Sequence, residues 1–118
     1  VVGGAAVGVP PEIMGIGPAP AIRRLLEGVG LALADIDRFE INEAFGAQCL
    51  AVIRELGIDR DKVNVNGSGI GLGHPVGSTG CRVIVTLLHA LQKQGKSLGM
   101  ATLCGGGGVS MATALELV

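Results

Sequence analysis

Residues 1–9 form an almost unbroken apolar run of small side chains that stops at Pro10-Pro11. A run of that length, closed by prolines, predicts a buried strand rather than a helix. Residues 10–20 hold four prolines and two glycines and read as an extended loop, with Pro20 where a first-turn proline belongs. Ile22, Leu25, Leu26 and Val29 then recur at the i, i+3, i+4, i+7 spacing of one helix face, closed by Gly28 and Gly30. Residues 37–42 alternate polar and apolar as a short strand does, and 43–56 read as a second helix ending at Gly57. Residues 62–66 alternate again and predict a third strand. They run into a stretch, 67–80, with six glycines and the turn Gly73-His74-Pro75. Ser78 is a candidate N-cap for a third helix that reaches Gln94 and stops at Gly95. A fourth strand over 98–104, a turn over 105–108 and a fifth strand over 109–118 complete the chain.

The order β-α-β-α-β-α-β-β predicts a mixed α/β fold: one five-stranded sheet with helices on both faces. Strands joined through helices lie parallel by right-handed crossovers. The last strand follows a short turn and must run antiparallel, which places it at an edge. The third helix is apolar almost all round, with Val83, Ile84, Val85, Leu87, Leu88, Ala90 and Leu91, and charges only at Arg82 and Lys93. Such a helix needs cover on more sides than one sheet provides, so a further layer outside this chain is expected.

Composition narrows the class. With 118 residues the chain is one domain, and 48% hydrophobic residues against 16% charged exclude intrinsic disorder. No uncharged apolar run approaches the roughly 18 residues of a membrane span. A net charge of −1 and 2% aromatic residues argue against a nucleic-acid footprint and against base stacking. Three cysteines without a CxxC spacing give neither a disulfide framework nor a zinc site, and a reduced, intracellular compartment is expected. The chain opens Val1-Val2-Gly3 without a methionine or a leader pattern, and reads as an interior piece of something longer.

In parallel α/β sheets ligands bind beyond the carboxyl ends of the strands. Three such ends are readable here: Asn42 after the second strand, His74 in the loop after the third, and Cys104 after the fourth. An amide, an imidazole and a thiol on one edge suit acyl transfer, because imidazole exchanges protons near neutral pH and a thiol beside it can act as nucleophile or base. The glycines support neither common phosphate motif. No window of 67–80 satisfies GxGxxG, and Gly95-Lys96-Ser97 lacks the first glycine of a P-loop and runs from helix to strand. His89, within the apolar helix, reads as a packed or edge histidine. Cys49 and Cys81 read as small core residues and Arg23-Arg24 as a solvated face. Met14 and Phe45 adjoin the site edge and are equally readable as core.

The short motifs carry a resemblance. Asn42-Glu43-Ala44-Phe45 resembles the NEAF motif of thiolases. Asn64-Val65-Asn66-Gly67 followed by Gly73-His74-Pro75-Val76-Gly77 is similar to their NVNGG…GHPxG loop, Cys104-Gly105-Gly106-Gly107 to their CxGGG loop, and Met14-Gly15-Ile16-Gly17-Pro18 to a further family stretch. Order and spacing agree along essentially the whole chain, which resembles a thiolase C-terminal domain over residues 1–118. Ser68-Gly69 stands where the commonest pattern has Gly-Ala, Gly105 replaces a bulky aliphatic, and Ser110 a small or apolar residue.

The resemblance implies a five-layered α-β-α-β-α fold of two similar halves, with the third helix in the central layer. It implies reversible condensation of two acyl-CoA molecules, or cleavage of 3-ketoacyl-CoA, through an acyl-cysteine. That cysteine belongs to an N-terminal domain outside this sequence, which is the expected partner. His74 would activate the nucleophile and, with Asn42 and a held water, bind the thioester oxygen. Cys104 would move the α-proton of the second acyl-CoA. The Gly106 N–H would serve the second oxyanion site, and Met14, Ala44 and Phe45 would line the pantetheine and acyl end. Acyl-CoA and CoA are then substrates, with no cofactor and no metal, in a homodimer or tetramer, cytoplasmic, or mitochondrial or peroxisomal in a eukaryote. Two other readings remain: a ketoacyl-synthase relative, which carries histidine where Cys104 stands, and a non-catalytic thiolase-like scaffold.

Overall fold

In the computed structural model, which describes residues 1–118, the sheet has four strands. They are β1 (Gly3–Gly8), β2 (Arg38–Ile41), β3 (Leu98–Cys104) and β4 (Val109–Glu116), in spatial order β1-β4-β3-β2. β2 and β3 are parallel, and β4 runs antiparallel to both β1 and β3. The helices are α1 (Pro18–Val29), α2 (Gly46–Leu56), the single turn α3 (Gly69–Leu72) and α4 (Thr79–Gln94).

Two expectations are corrected. Residues 62–66 do not form a strand of the sheet: Val63 makes one isolated parallel bridge to Phe39 and the chain turns away. Asn64 is the cause. Its backbone is left-handed, at φ 50°, which no strand continues through. Its side chain instead takes over the ladder, accepting from Ile41 N (2.8 Å) and donating to Ile41 O (2.9 Å). The antiparallel strand is likewise not at an edge. The crossover through α1 carries the chain from β1 at one edge to β2 at the other, and the β3–β4 hairpin fills the two places between.

The element starts also shift. Residues Pro11–Ile16 wind into a 3-10 helix instead of an extended loop, and α1 opens at Pro18. Prolines at 11, 18 and 20 all fall in first turns, where the missing N–H has no partner to lose. α2 begins three residues later than expected because Phe45 is extended (φ −144°, ψ 144°).

α1 and α2 cover one sheet face, with Ile22, Leu25, Phe39, Ile41, Val52 and Met100 all at most 2% exposed. α4 covers part of the other, burying Val83, Leu87 and Leu91 completely against Ala101 and Leu115. Each such side chain contributes about 1.5–3 kcal/mol by leaving water. The outward side of α4 exposes Val85 (52%), and beside it the same sheet face exposes Met111 (57%). The apolar helix is thus covered on one side by this chain.

Asp37 ties the start of β2 to the start of β3. Its Oδ2 accepts from Ser97 N and Leu98 N, both at 3.1 Å, and the Leu98 bond most strongly holds the carboxyl below its usual range. Asp37→Ala is expected to destabilise the fold by about 1–3 kcal/mol in chemical denaturation at neutral pH. A carboxyl whose folded pKa is lowered stabilises above its unfolded value of about 3.9 and loses that contribution as pH falls through the folded value. The gap between variant and parent should therefore narrow at acid pH; a gap that stays constant would contradict the assignment.

Candidate active site

The carboxyl ends of β2 and β3 and the start of β4 meet on one edge. Asn42 extends the β2–β3 ladder by one rung, its N–H donating to Thr102 O at 3.0 Å, and so stands just past the strand end, 1% exposed. Cys104 ends β3 on the same edge, half-buried. Burial pushes its thiol above the usual range, against a small opposite pull from its own N–H. Its resting form at neutral pH is the thiol, which suits a proton donor that becomes a base only after giving its proton away.

The glycine turn after Cys104 is tightly folded. Gly105 N donates to Val109 O (2.7 Å), Gly108 N to Gly105 O (3.2 Å), and Gly107 and Gly108 have φ of 81° and 88°. A Cβ on Gly108 would collide with Val9 O, so both the conformation and the close approach demand glycine there. Gly106 differs. A Cβ on it would meet nothing within 4 Å, and its N–H donates to no carbonyl of the chain. An uncommitted N–H in a fixed turn is a ready oxyanion donor.

His74 arrives in the segment between α3 and α4. Its Nδ1 lies 2.7 Å from Thr79 Oγ1, and the Thr79 hydroxyl donates to Pro75 O at 3.0 Å. The Thr79 hydroxyl has one hydrogen; with that hydrogen on Pro75 O, Thr79 offers His74 a lone pair, Nδ1 carries the imidazole proton and Nε2 is the basic nitrogen. Thr79 is fully buried, which locks the arrangement.

These residues share one open cleft of about 450 Å³, lined by Met14, Asn42, Ala44, His74, Cys104 and Gly106, with Val76, Leu103, Val109 and Met111 supplying apolar wall. Phe45 does not line it: that side chain is 63% exposed at the start of α2. Of the other cysteines, Cys49 is buried beside Asn64 and desolvation raises its thiol to about 11, whereas Cys81, expected in the core, is exposed on α4. His89 is exposed as well. No group of three His, Cys, Asp or Glu side chains comes together as metal ligands. Sequence reasoning missed Thr79, whose signal was a hydroxyl at the helix start five residues after His74, and Met111, whose signal was the alternation along β4.

Known proteins match the chain throughout. The family model for the thiolase C-terminal domain matches residues 1–117. The acetyl-CoA acetyltransferase of Escherichia coli K12 is 58% identical over 112 residues, which is 95% of this chain and 28% of that protein. The 3-ketoacyl-CoA thiolase of Bacillus subtilis 168 is 54% identical over 110 residues, 93% of this chain and 28% of that protein. Among solved structures, Bacillus anthracis acetyl-CoA acetyltransferase superposes at TM-score 0.97 with 58% identity, covering 99% of this chain and 30% of that one. Human mitochondrial 3-ketoacyl-CoA thiolase superposes at 0.96 with 45% identity, again over 99% and 30%. The chain therefore spans just over a quarter of the length of the curated relatives it matches. With sequence and fold in agreement over nearly every residue, the chain belongs to the thiolase family, as its C-terminal domain.

Proposed function

We propose that this domain supplies the acid/base and oxyanion half of a thiolase active site, for reversible condensation of two acyl-CoA thioesters or cleavage of a 3-ketoacyl-CoA. The observation that carries the reading is the meeting of Asn42, His74, Cys104 and Gly106 in one cleft. The nucleophile is a cysteine of the N-terminal domain, which none of the three cysteines here replaces. His74 Nε2 takes the proton of that thiol as it attacks the first thioester, and the oxygen that becomes negative is held by His74 and by a water on Asn42; collapse breaks the bond to CoA, which leaves as the thiol with the proton that His74 returns. The acyl-cysteine then presents its carbonyl to Gly106 N–H. Cys104, in its thiolate form, removes the α-proton of the second acyl-CoA; the carbanion attacks the acyl carbon and the nucleophilic cysteine leaves as its thiolate. In the cleavage direction the Cys104 thiol returns that proton. Met14, Ala44 and the apolar wall border the acyl and pantetheine end, and CoA thioesters are substrates in a chemistry that needs no resident cofactor.

The cysteine at position 104 favours this reading over a ketoacyl-synthase relative, and a cleft that keeps all three side chains favours it over a scaffold. The exposed apolar face around Val85 and Met111 is where the N-terminal domain packs, and the whole protein assembles as a dimer or tetramer. No helix of the chain is long and apolar enough to cross a membrane.

The test uses both the full-length protein and the isolated domain. The full-length protein should release CoA from acetyl-CoA while forming a 3-ketoacyl-CoA, and should cleave acetoacetyl-CoA with CoA. The isolated domain should do neither and should light up an apolar dye. A full-length protein inert in both directions, or an isolated domain with full activity, overturns the reading.

A further inference from the structure

We propose that Arg82 is a positioning residue, counter-charged by Glu40, that fixes the Asn42 amide so that a hydrogen-bond donor rather than an acceptor faces the cleft. Glu40 and Asn42 are two positions apart along β2 and its continuation, so both project to the face that α4 covers. Each is 1% exposed. Arg82, in the first turn of α4, reaches both. Its Nη1 lies 3.9 Å from Glu40 Oε2, and its Nη2 lies 3.2 Å from Ser68 Oγ and 3.5 Å from Asn42 Oδ1.

Two facts make the amide orientation compulsory. A guanidinium only donates, so the oxygen of Asn42 and not its NH₂ must face Arg82. Ser68 cannot replace it as an alternative partner for the oxygen, because its single hydroxyl hydrogen donates to Ile41 O at 3.0 Å. Asn42 Nδ2 donates to no group of the chain, and Asn42 lines the cleft. Flipping the amide would set NH₂ against guanidinium and turn an acceptor toward the water that meets the developing oxyanion, so that the water spends one of its two hydrogens on Asn42 and turns in the site.

The ion pair beneath has no other evident purpose. Both Glu40 carboxylate oxygens lack hydrogen-bond partners, as do Arg82 Nε and Nη1. Burial drives the Glu40 carboxyl up to about 7 even against the pull of Arg82. Such a pair is poor evidence for stability, and removing one partner strands the other's charge. Its use is to hold a guanidinium in a place where a neutral side chain would satisfy the fold more cheaply.

The inference rests on the proposed part of Asn42 in acylation, and a double-mutant cycle in the full-length protein separates the two. Asn42→Ala should slow acyl-enzyme formation about 10²-fold, the loss of one oxyanion donor. Arg82→Lys keeps the charge against Glu40 but lacks the planar fork, and should slow acylation about tenfold with little change in KM. In the Asn42→Ala background the same Arg82→Lys change should cost less than about twofold, because the group it positions is gone. Equal losses in both backgrounds overturn the proposal and leave the Asn42 assignment standing. An Asn42→Ala enzyme that acylates normally overturns that assignment and the proposal with it. Asn42→Asp guards against an Arg82 variant that fails to fold: it offers Arg82 a better acceptor and the cleft no donor. It should melt no lower than the parent yet acylate as slowly as Asn42→Ala, and wild-type acylation by it overturns the proposal without any Arg82 variant.

Discussion

Replacing His74 with alanine in the full-length protein is expected to slow formation of the acyl-enzyme by 10²–10⁴-fold, the range for a lost general base. The expectation follows from the tautomer. With the hydrogen of the buried Thr79 hydroxyl on Pro75 O, Thr79 accepts at His74 Nδ1 and leaves Nε2 as the basic nitrogen. The step concerned is acylation itself, so a single-turnover measurement of acyl-enzyme from an acyl-CoA should show the whole loss. Thr79→Val keeps the shape and deletes the acceptor. It should cost about tenfold in the same measurement, since the ring is then free to hold its proton on either nitrogen. An acylation burst at the parent rate in His74→Ala would remove the base from the mechanism; a Thr79→Val enzyme at the parent rate would remove only the account of its tautomer.

Some of this site was legible in the chain and some was not, for physical reasons. The helices declare themselves because each buries one face: the Ile22, Leu25, Leu26 spacing of α1 needs only local periodicity. The strand ends declare themselves too, because Asn42 closes an alternating run and Cys104 an apolar one, and parallel neighbours bring such ends to one edge. What periodicity cannot carry is a side chain acting as backbone. Residues 62–66 alternate like a strand, yet the amide of Asn64 pairs with Ile41 and the chain leaves the sheet. The position of β4 was hidden for a different reason, since strand order depends on how far α1 crosses the sheet. Arg82 looked like a charge near a helix end. Its meaning lies with Asn42, 40 positions away, and no local pattern joins the two. Phe45 shows the converse: its place beside Ala44 suggested a wall of the cleft, and in this chain its side chain stands exposed at the extended start of α2.

Cys104→Ala should separate the two halves of the reaction. In the proposed reaction two protons move on two different atoms, one from the attacking thiol and one from the α-carbon of the second substrate. His74 serves the first, so the variant should still form acyl-enzyme from an acyl-CoA within about tenfold of the parent rate. Condensation and exchange of the α-proton with solvent should fall by about 10³-fold or more, because the one other titratable side chain lining the cleft, His74, is assigned to the first proton. The raised thiol sets the pH dependence of the parent enzyme. Returning a proton to the carbanion in cleavage requires the thiol, and burial favours the thiol over the thiolate. Ionisation therefore depletes the donor only as pH climbs past the ordinary cysteine range, so cleavage should hold at neutral pH and fall at alkaline pH, while the Cys104→Ala remnant should show no such limb. If Cys104 merely packed beneath the glycine turn, alanine would cost little in either half-reaction and the alkaline limb would survive its removal. A variant that condenses two acetyl-CoA molecules at the parent rate would sink the assignment, whatever the His74 experiment returns.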